Sequence, residues 1–418
     1  MSIENNSTIE QSGNMPKGGE QSIPKGWVET TLGEVVSKII DYRGKTPKKL
    51  GENWSINGKY RALSAKSVKT GGLTNLDQIN RVNEILYKKW MKDEIQLNDI
   101  LMTSEAPMGE VLLWKTDEKI VLSQRLFALR AKDDVSPNYL YYYFISRKFE
   151  FELKARASGT TVVGIRQTEL KKTKIVIPPL LEQKAIAQIL TAFDDKIELL
   201  QDQNKTLETT AQTIFKEWFG KYKIGDELPE GWRVGALGEV VKLFDSQRIP
   251  LSKAEREERK GKYRYYGATS VMDFVDGYIF DGIYLLFAED GSVIDDNGHP
   301  FLQYVWDKFW VNNHAHILQG KNGFSTEMLY VLSKKMRVAG IVNGAVQLKI
   351  NQKNLLGFEM IIPSNDILLE FNNLIQPLFS KLRINQTQTQ TLKQTRDTLL
   401  PKLMSGQLRV DEFKERAV

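Results

Sequence analysis

The sequence predicts an α+β chain in which two globular lobes of mixed α and β structure alternate with two long helices that pair as an antiparallel coiled coil. Three observations carry this expectation. First, the chain repeats a lobe opening. Ile23-Pro24-Lys25-Gly26-Trp27 with Leu32-Gly33-Glu34-Val35-Val36 returns as Leu228-Pro229-Glu230-Gly231-Trp232 with Leu237-Gly238-Glu239-Val240-Val241, and eight of the fourteen positions from 23 to 36 are identical. Second, each lobe closes on Ile-Pro, at Ile177-Pro178 and Ile362-Pro363. Third, each closure runs into a heptad-patterned segment. Repeats of this kind set an architecture before any local assignment is made. The expected order is a disordered tail at 1–22, lobe one at 23–180, a helix at 181–220, lobe two at 221–363, a helix and closing segment at 364–410, and a tail at 411–418.

Lobe one reads as strands at Ile100-Leu101-Met102, Val111-Leu112-Leu113-Trp114 and Arg125-Leu126-Phe127-Ala128-Leu129, with a helix from Tyr139 to Phe151. Lobe two has matching pieces at 282–287, 314–318 and Thr326 to Met336, and is shorter by 20 residues. In the first helix Ile186, Phe193, Leu200, Leu207 and Ile214 take one core position, and Leu190, Ile197, Asn204, Ala211 and Trp218 the other. The pattern returns 185 residues later: Phe371, Leu378, Asn385, Leu392 and Leu399 alternate with Ile375, Leu382, Thr389, Arg396 and Leu403. This is the spacing of a coiled-coil seam. Run antiparallel with Asn204 facing Asn385, the segments match apolar to apolar in most layers, from Ile186 with Leu403 to Trp218 with Phe371. The buried asparagine pair fixes register. Phe193 against Arg396 and Leu200 against Thr389 are the weak layers. Pro377 predicts a bend and Pro401 a termination or distortion, since proline removes a backbone donor. A helix of about 37 residues is roughly 55 Å long.

The net charge is +6, and the chain has no cysteine. Disulfides, thiolate metal sites and cysteine nucleophiles are thereby excluded. Lobe one carries +9, the first helix −3, lobe two 0, the segment 364–418 +2 and the first 22 residues −2. A basic first lobe fits a polyanion partner. No basic-then-apolar leader and no membrane-length apolar run is present, so a soluble cytoplasmic protein is expected.

Side chains able to reach phosphates and base edges cluster where loops are expected. In lobe one the candidates are Lys45, Lys48, Ser64, Lys66, Arg125, Thr160 and Arg166. In lobe two they are Gln247, Arg248, Arg264, Tyr266, His314 and Asn343. Catalytic signatures are missing: no G-x-x-x-x-G-K-[ST] phosphate loop, no G-x-S-x-G elbow and no Asn/Asp-Pro-Pro-Tyr/Phe tetrapeptide of amino-methyltransferases. The three histidines are His299, His314 and His316. The acidic pairs Glu289-Asp290 and Asp295-Asp296 read as turns, and no metal is expected.

The Pro-x-Gly-Trp-x-x-x-x-Leu-Gly-Glu openings at 24–34 and 229–239, the helix entry Ile177-Pro178-Pro179-Leu180-Leu181-Glu182-Gln183, and the closing Leu400-Pro401-Lys402-Leu403-Met404-Ser405-Gly406-Gln407-Leu408 resemble those of type I restriction–modification specificity subunits. The second entry, Ile362-Pro363-Ser364-Asn365-Asp366, departs from that pattern. The resemblance implies a non-catalytic chain with two target-recognition domains, each reading half of a split, asymmetric double-stranded DNA sequence. It implies helices that space the halves and dock two modification subunits. S-adenosylmethionine and adenine methylation would belong to those partners, and ATP with Mg to motor-nuclease restriction subunits. The competing reading is a coiled-coil scaffold whose two lobes bind proteins or ligands.

Overall fold

The computed structural model describes residues 23–344 and 348–410; the tails expected at 1–22 and 411–418 lie outside them. The chain divides into two compact units. One holds residues up to 197 together with 391 onward, and the other holds 198–390. Each unit therefore takes one lobe and a stretch of both long helices.

The repeated opening is a turn followed by a close approach. The Trp27 amide donates to Pro24 O and the Trp232 amide to Pro229 O, both at 3.0 Å. Gly26 and Gly231 sit at φ +84° and +76°. A four-residue turn with a left-handed third position favours glycine there. Gly33 and Gly238 are small for another reason: a Cβ would meet Lys171 O at 3.2 Å and Leu356 O at 3.1 Å. The opening strands Val28–Thr31 and Arg233–Ala236 then pair antiparallel with the closing strands Lys174–Ile177 and Glu359–Ile362.

Each lobe is built on a four-stranded antiparallel sheet of the same order. In lobe one the order is Val36–Asp41, Leu126–Ala131, Ile100–Thr103, Val111–Leu113. In lobe two it is Val241–Leu243, Ala315–Gly320, Tyr284–Ala288, Leu302–Val305. Alternation along a strand sends successive side chains to opposite faces. Phe127, Leu129, Ile100 and Met102 join the core that includes Ile186, Leu190 and Leu403, whereas Leu126, Ala128 and Leu101 join a second core. Lobe two repeats the division, with Leu285, Phe287 and Leu318 on the helix side and Leu286, Ala315 and Ile317 on the other. The far side differs between lobes. Lobe one has a small sheet of Arg81–Val82, Tyr60–Leu63 and Val121–Leu122, and lobe two has a four-stranded sheet centred on Lys260–Tyr266 and Lys308–Val311.

The long helices run Leu180–Phe219 and Asn365–Met404, 40 residues each. Within the second unit the Asn385 amide donates to Asn204 Oδ1 at 3.0 Å, and the Trp218 and Phe371 rings lie 5.8 Å apart. Asn385 is fully buried. Within the first unit Arg396 does not face Phe193 as a bare mismatch. Its guanidinium donates to Asp194 Oδ1 at 2.5 Å. The second helix continues through Pro377 and through Pro401, where a termination or distortion was expected, and ends at Met404. The single helix expected from Tyr139 to Phe151 is two, Pro137–Phe144 and Arg147–Ala155. Ser146 separates them, donating to Tyr143 O and accepting from the Phe149 amide as the N-cap of the second.

The helix entry Glu182-Gln183 ties lobe one together. Glu182 accepts from Trp27 Nε1 at 3.1 Å and from Arg409 at 2.7 and 3.0 Å. Gln183, 1 % exposed, accepts from the Ser136 amide and donates to Pro178 O, both at 2.9 Å. Gln183→Ala leaves both backbone groups buried without partners, at about 1–3 kcal/mol each. Chemical denaturation of the first unit should show a loss of about 2–4 kcal/mol. Among the described residues Trp232 has no such carboxylate; its ring packs on Phe219 and Tyr222 instead, at 5.7 and 4.9 Å.

Candidate nucleic-acid interface

At one edge of each central sheet the loops are stitched together by the same hydrogen bonds. In lobe one the Ser104 amide donates to Arg125 O at 2.8 Å, and the Ile165 amide to Ser104 O at 2.9 Å. Ser158 and Gly164 exchange amide–carbonyl bonds that close a loop carrying Thr160. In lobe two the Glu289 amide donates to His314 O at 2.9 Å, and the Ile350 amide to Glu289 O at 2.8 Å. Asn343 and Lys349 exchange the closing pair. The strand registers make these positions equivalent, since Leu126 lies opposite Thr103 and Ala315 opposite Ala288.

Most of the lobe-one candidates converge on this edge. Arg125 is exposed and pairs with Glu105 at 3.0 Å. The backbone of Ala65, between Ser64 and Lys66, bonds Gln124 O. Lys48, Lys66, Thr160 and Arg166 are exposed, and among the described residues the three cations form no ion pair. Lys45 is engaged inside. Its ammonium donates to Trp90 O at 2.5 Å and lies 4.0 Å from the Tyr42 ring centre. Burial, and then the neighbouring Lys92, hold its pKa below the ordinary lysine range. A cavity of about 250 Å³ opens beside it, lined by Lys48, Trp54, Trp90 and Gln124 among others.

The lobe-two candidates divide. Gln247 and Asn343 are exposed, and His314 bonds Asp290 through Nδ1 at 2.5 Å with its side chain 44 % exposed. Arg248 instead reaches inward. Its guanidinium pairs with Glu289 at 2.6 Å and donates to Asn313 O and Ala315 O. The Tyr266 ring is buried against Phe309, and Arg264 bonds Gln390 of the second long helix. Beneath the edge lies His316, fully buried, its Nδ1 2.5 Å from Asp245 Oδ2 and its Nε2 2.8 Å from Ile350 O. Asp245, Glu289 and His316 bring their ligand atoms within 4.8 Å of one another. Both imidazole nitrogens face acceptor oxygens, and Arg248 and Lys349 already supply cations to Glu289. The donor set therefore suits a hydrogen-bonded ion network rather than a metal.

Residue type alone suggested Arg248, Tyr266 and Arg264, because guanidinium and phenol groups serve equally in networks and in cores. Trp54 and Glu105 escaped the sequence reading, and Asp290 was read only as part of an acidic turn. Their only signal is proximity to Trp90, Arg125 and His314 in the fold.

Residues 24–209 and 229–394 match the type I restriction modification DNA specificity domain. A specificity subunit of a type I restriction enzyme from Methanocaldococcus jannaschii, MjaIX, is 31% identical over 342 residues, which is 75% of this chain and 78% of that one. The HindI specificity subunit of Haemophilus influenzae is 22% identical over 404 residues, 76% of this chain and 88% of that one. The crystal structure of a type I restriction–modification S subunit from M. genitalium superposes with a TM-score of 0.57 at 19% identity, covering 93% of this chain and 98% of that one. With two matching domains and this extent of similarity, the chain belongs to the family of type I restriction–modification specificity subunits, with two target-recognition domains.

Proposed function

We propose that the chain is the non-catalytic DNA-reading subunit of its complex, each lobe reading one half of a bipartite, asymmetric duplex target. The paired helices set the spacer and dock two modification subunits. S-adenosylmethionine is held by those partners, and ATP with Mg by restriction subunits. The complex works in the cytoplasm; among the described residues no helix is long and apolar enough to cross a membrane. The observation that carries this reading is the duplicated loop edge, stitched by the same hydrogen bonds in both lobes but furnished with different side chains. One scaffold used twice with different reading groups suits an asymmetric target.

The test is a map of adenine methylation in a host carrying the chain with its methyltransferase. Deleting the chain should erase one gapped, two-part motif, and replacing 228–363 with another family member's lobe should change one half only. Purified chain with no salt-dependent DNA affinity would favour a protein-binding scaffold instead. Lys48→Ala and Lys66→Ala should each weaken binding to every sequence and lower the slope of log affinity against log salt by about 1.

A further inference from the structure

At position 125 of lobe one and position 314 of lobe two, equivalent in strand register, the two lobes place the same kind of pair. Arg125 meets Glu105 at 3.0 Å, and His314 meets Asp290 at 2.5 Å. Each carboxylate stands two residues past the end of the neighbouring strand, Ile100–Thr103 or Tyr284–Ala288. The side chains of Arg125 and His314 remain 47 % and 44 % exposed. Arg125 holds φ +63°, a left-handed conformation that side-chain-bearing residues adopt only where the surroundings impose it.

We propose that these are matched reading pairs. Arg125 and His314 meet base edges, and Glu105 and Asp290 are positioning residues that decide which edge each can recognise. This rests on the function proposed above and adds its chemistry. A guanidinium anchored on one side by a carboxylate keeps its remaining N–H groups in a fixed fork, which suits guanine O6 and N7. Asp290 accepts at His314 Nδ1 and so keeps a proton on that nitrogen. Among the described residues Nε2 has no partner. In the neutral ring Nε2 is then an acceptor, suited to the exocyclic amino group of adenine or cytosine. The two lobes thus use one geometry with opposite hydrogen-bonding sense.

The experiment compares the methylated motif of the complete complex carrying wild-type chain with that of four variants: Arg125→Ala, Glu105→Gln, His314→Ala and Asp290→Asn. Binding of each to non-cognate duplex is measured alongside. The first two should lower discrimination at one guanine of one half-motif by roughly ten- to a hundred-fold. The last two should do so at one adenine or cytosine of the other half. The near-isosteric carboxylate variants remove a negative charge from the DNA-facing edge and should bind non-cognate DNA at least as tightly as wild type, which a merely structural loss would not permit. Four unaltered motifs would overturn the proposal while leaving the two-lobed reading intact. So would losses spread over both halves together with lowered non-cognate binding. A wild-type complex that marks no gapped motif would overturn the parent reading and this one with it.

Discussion

Asp245→Ala will destabilise the second lobe by about 3–5 kcal/mol, the usual cost of removing one member of a buried ion network. The Asp245 carboxylate accepts from His316 Nδ1 at 2.5 Å, from Gln352 Nε2 at 2.9 Å and from the Ile317 amide at 2.9 Å. Its side chain is 2 % exposed. Truncation strands an imidazole, an amide and a backbone N–H together. Hydrogen exchange gives a readout with an internal control. Protection of the strand Ala315–Gly320 should fall, and that of Leu126–Ala131 in the other lobe should not. Asp245→Asn keeps the shape and part of the bonding, so its loss should be smaller.

The same network predicts a pH dependence. Burial works against ionisation of Asp245, but His316, the Ile317 amide and Arg248 outweigh it, and its pKa lies below the ordinary 3.8. For Glu289 burial is likewise outweighed, by Arg248, His316 and Lys349, and its pKa lies below 4.5. A depressed carboxylate contributes stability above its unfolded pKa and loses it as pH falls toward the folded value. The second lobe should therefore hold its stability above about pH 5 and lose it progressively below about pH 4. The Asp245→Ala lobe should show a shallower loss over that window in acid titrations of denaturation. An equally steep loss would assign the acid sensitivity to other groups.

Phe371→Ala will cost the second unit about 3–5 kcal/mol, as for other fully buried phenylalanines. The Phe371 ring is 0 % exposed and lies 5.9, 5.8 and 5.0 Å from the rings of Phe215, Trp218 and Phe219. Three aromatic neighbours cannot collapse into the space without leaving their own rotamers, so the cavity persists. Fluorescence of Trp218 and denaturation midpoints would report it together. Phe371→Leu should recover more than half of the loss, because volume-conserving swaps are the best tolerated.

Much of this was legible in the residues. The two heptad stripes, with one asparagine in each, led to Asn204 beside Asn385, because a seam of period 3.5 has few registers and a lone polar residue selects among them. The repeated Pro-x-Gly-Trp and Leu-Gly-Glu openings announced two like lobes; that Gly26 makes a left-handed turn and Gly33 a close approach to Lys171 is known only from the structure. The helix break at Ser146 was less legible, because apolar residues continue on both sides of Ser146-Arg147-Lys148, through Phe149 and Phe151, and a single capping serine is a weak signal between them. Arg248 and Tyr266 could not be placed from sequence. A guanidinium near a strand end can face solvent or a buried carboxylate, and the choice depends on Glu289, 41 residues away.

The internal repeat and the heptad periodicity by themselves thus determined the duplicated plan, the long helices and their register, because both are written in the order of residue types along the chain. Only the tertiary structure decided which polar side chains reach the loop edge. That assignment depends on partners brought together across strands, Glu105 with Arg125 and Asp290 with His314, at sequence separations that carry no periodic signal.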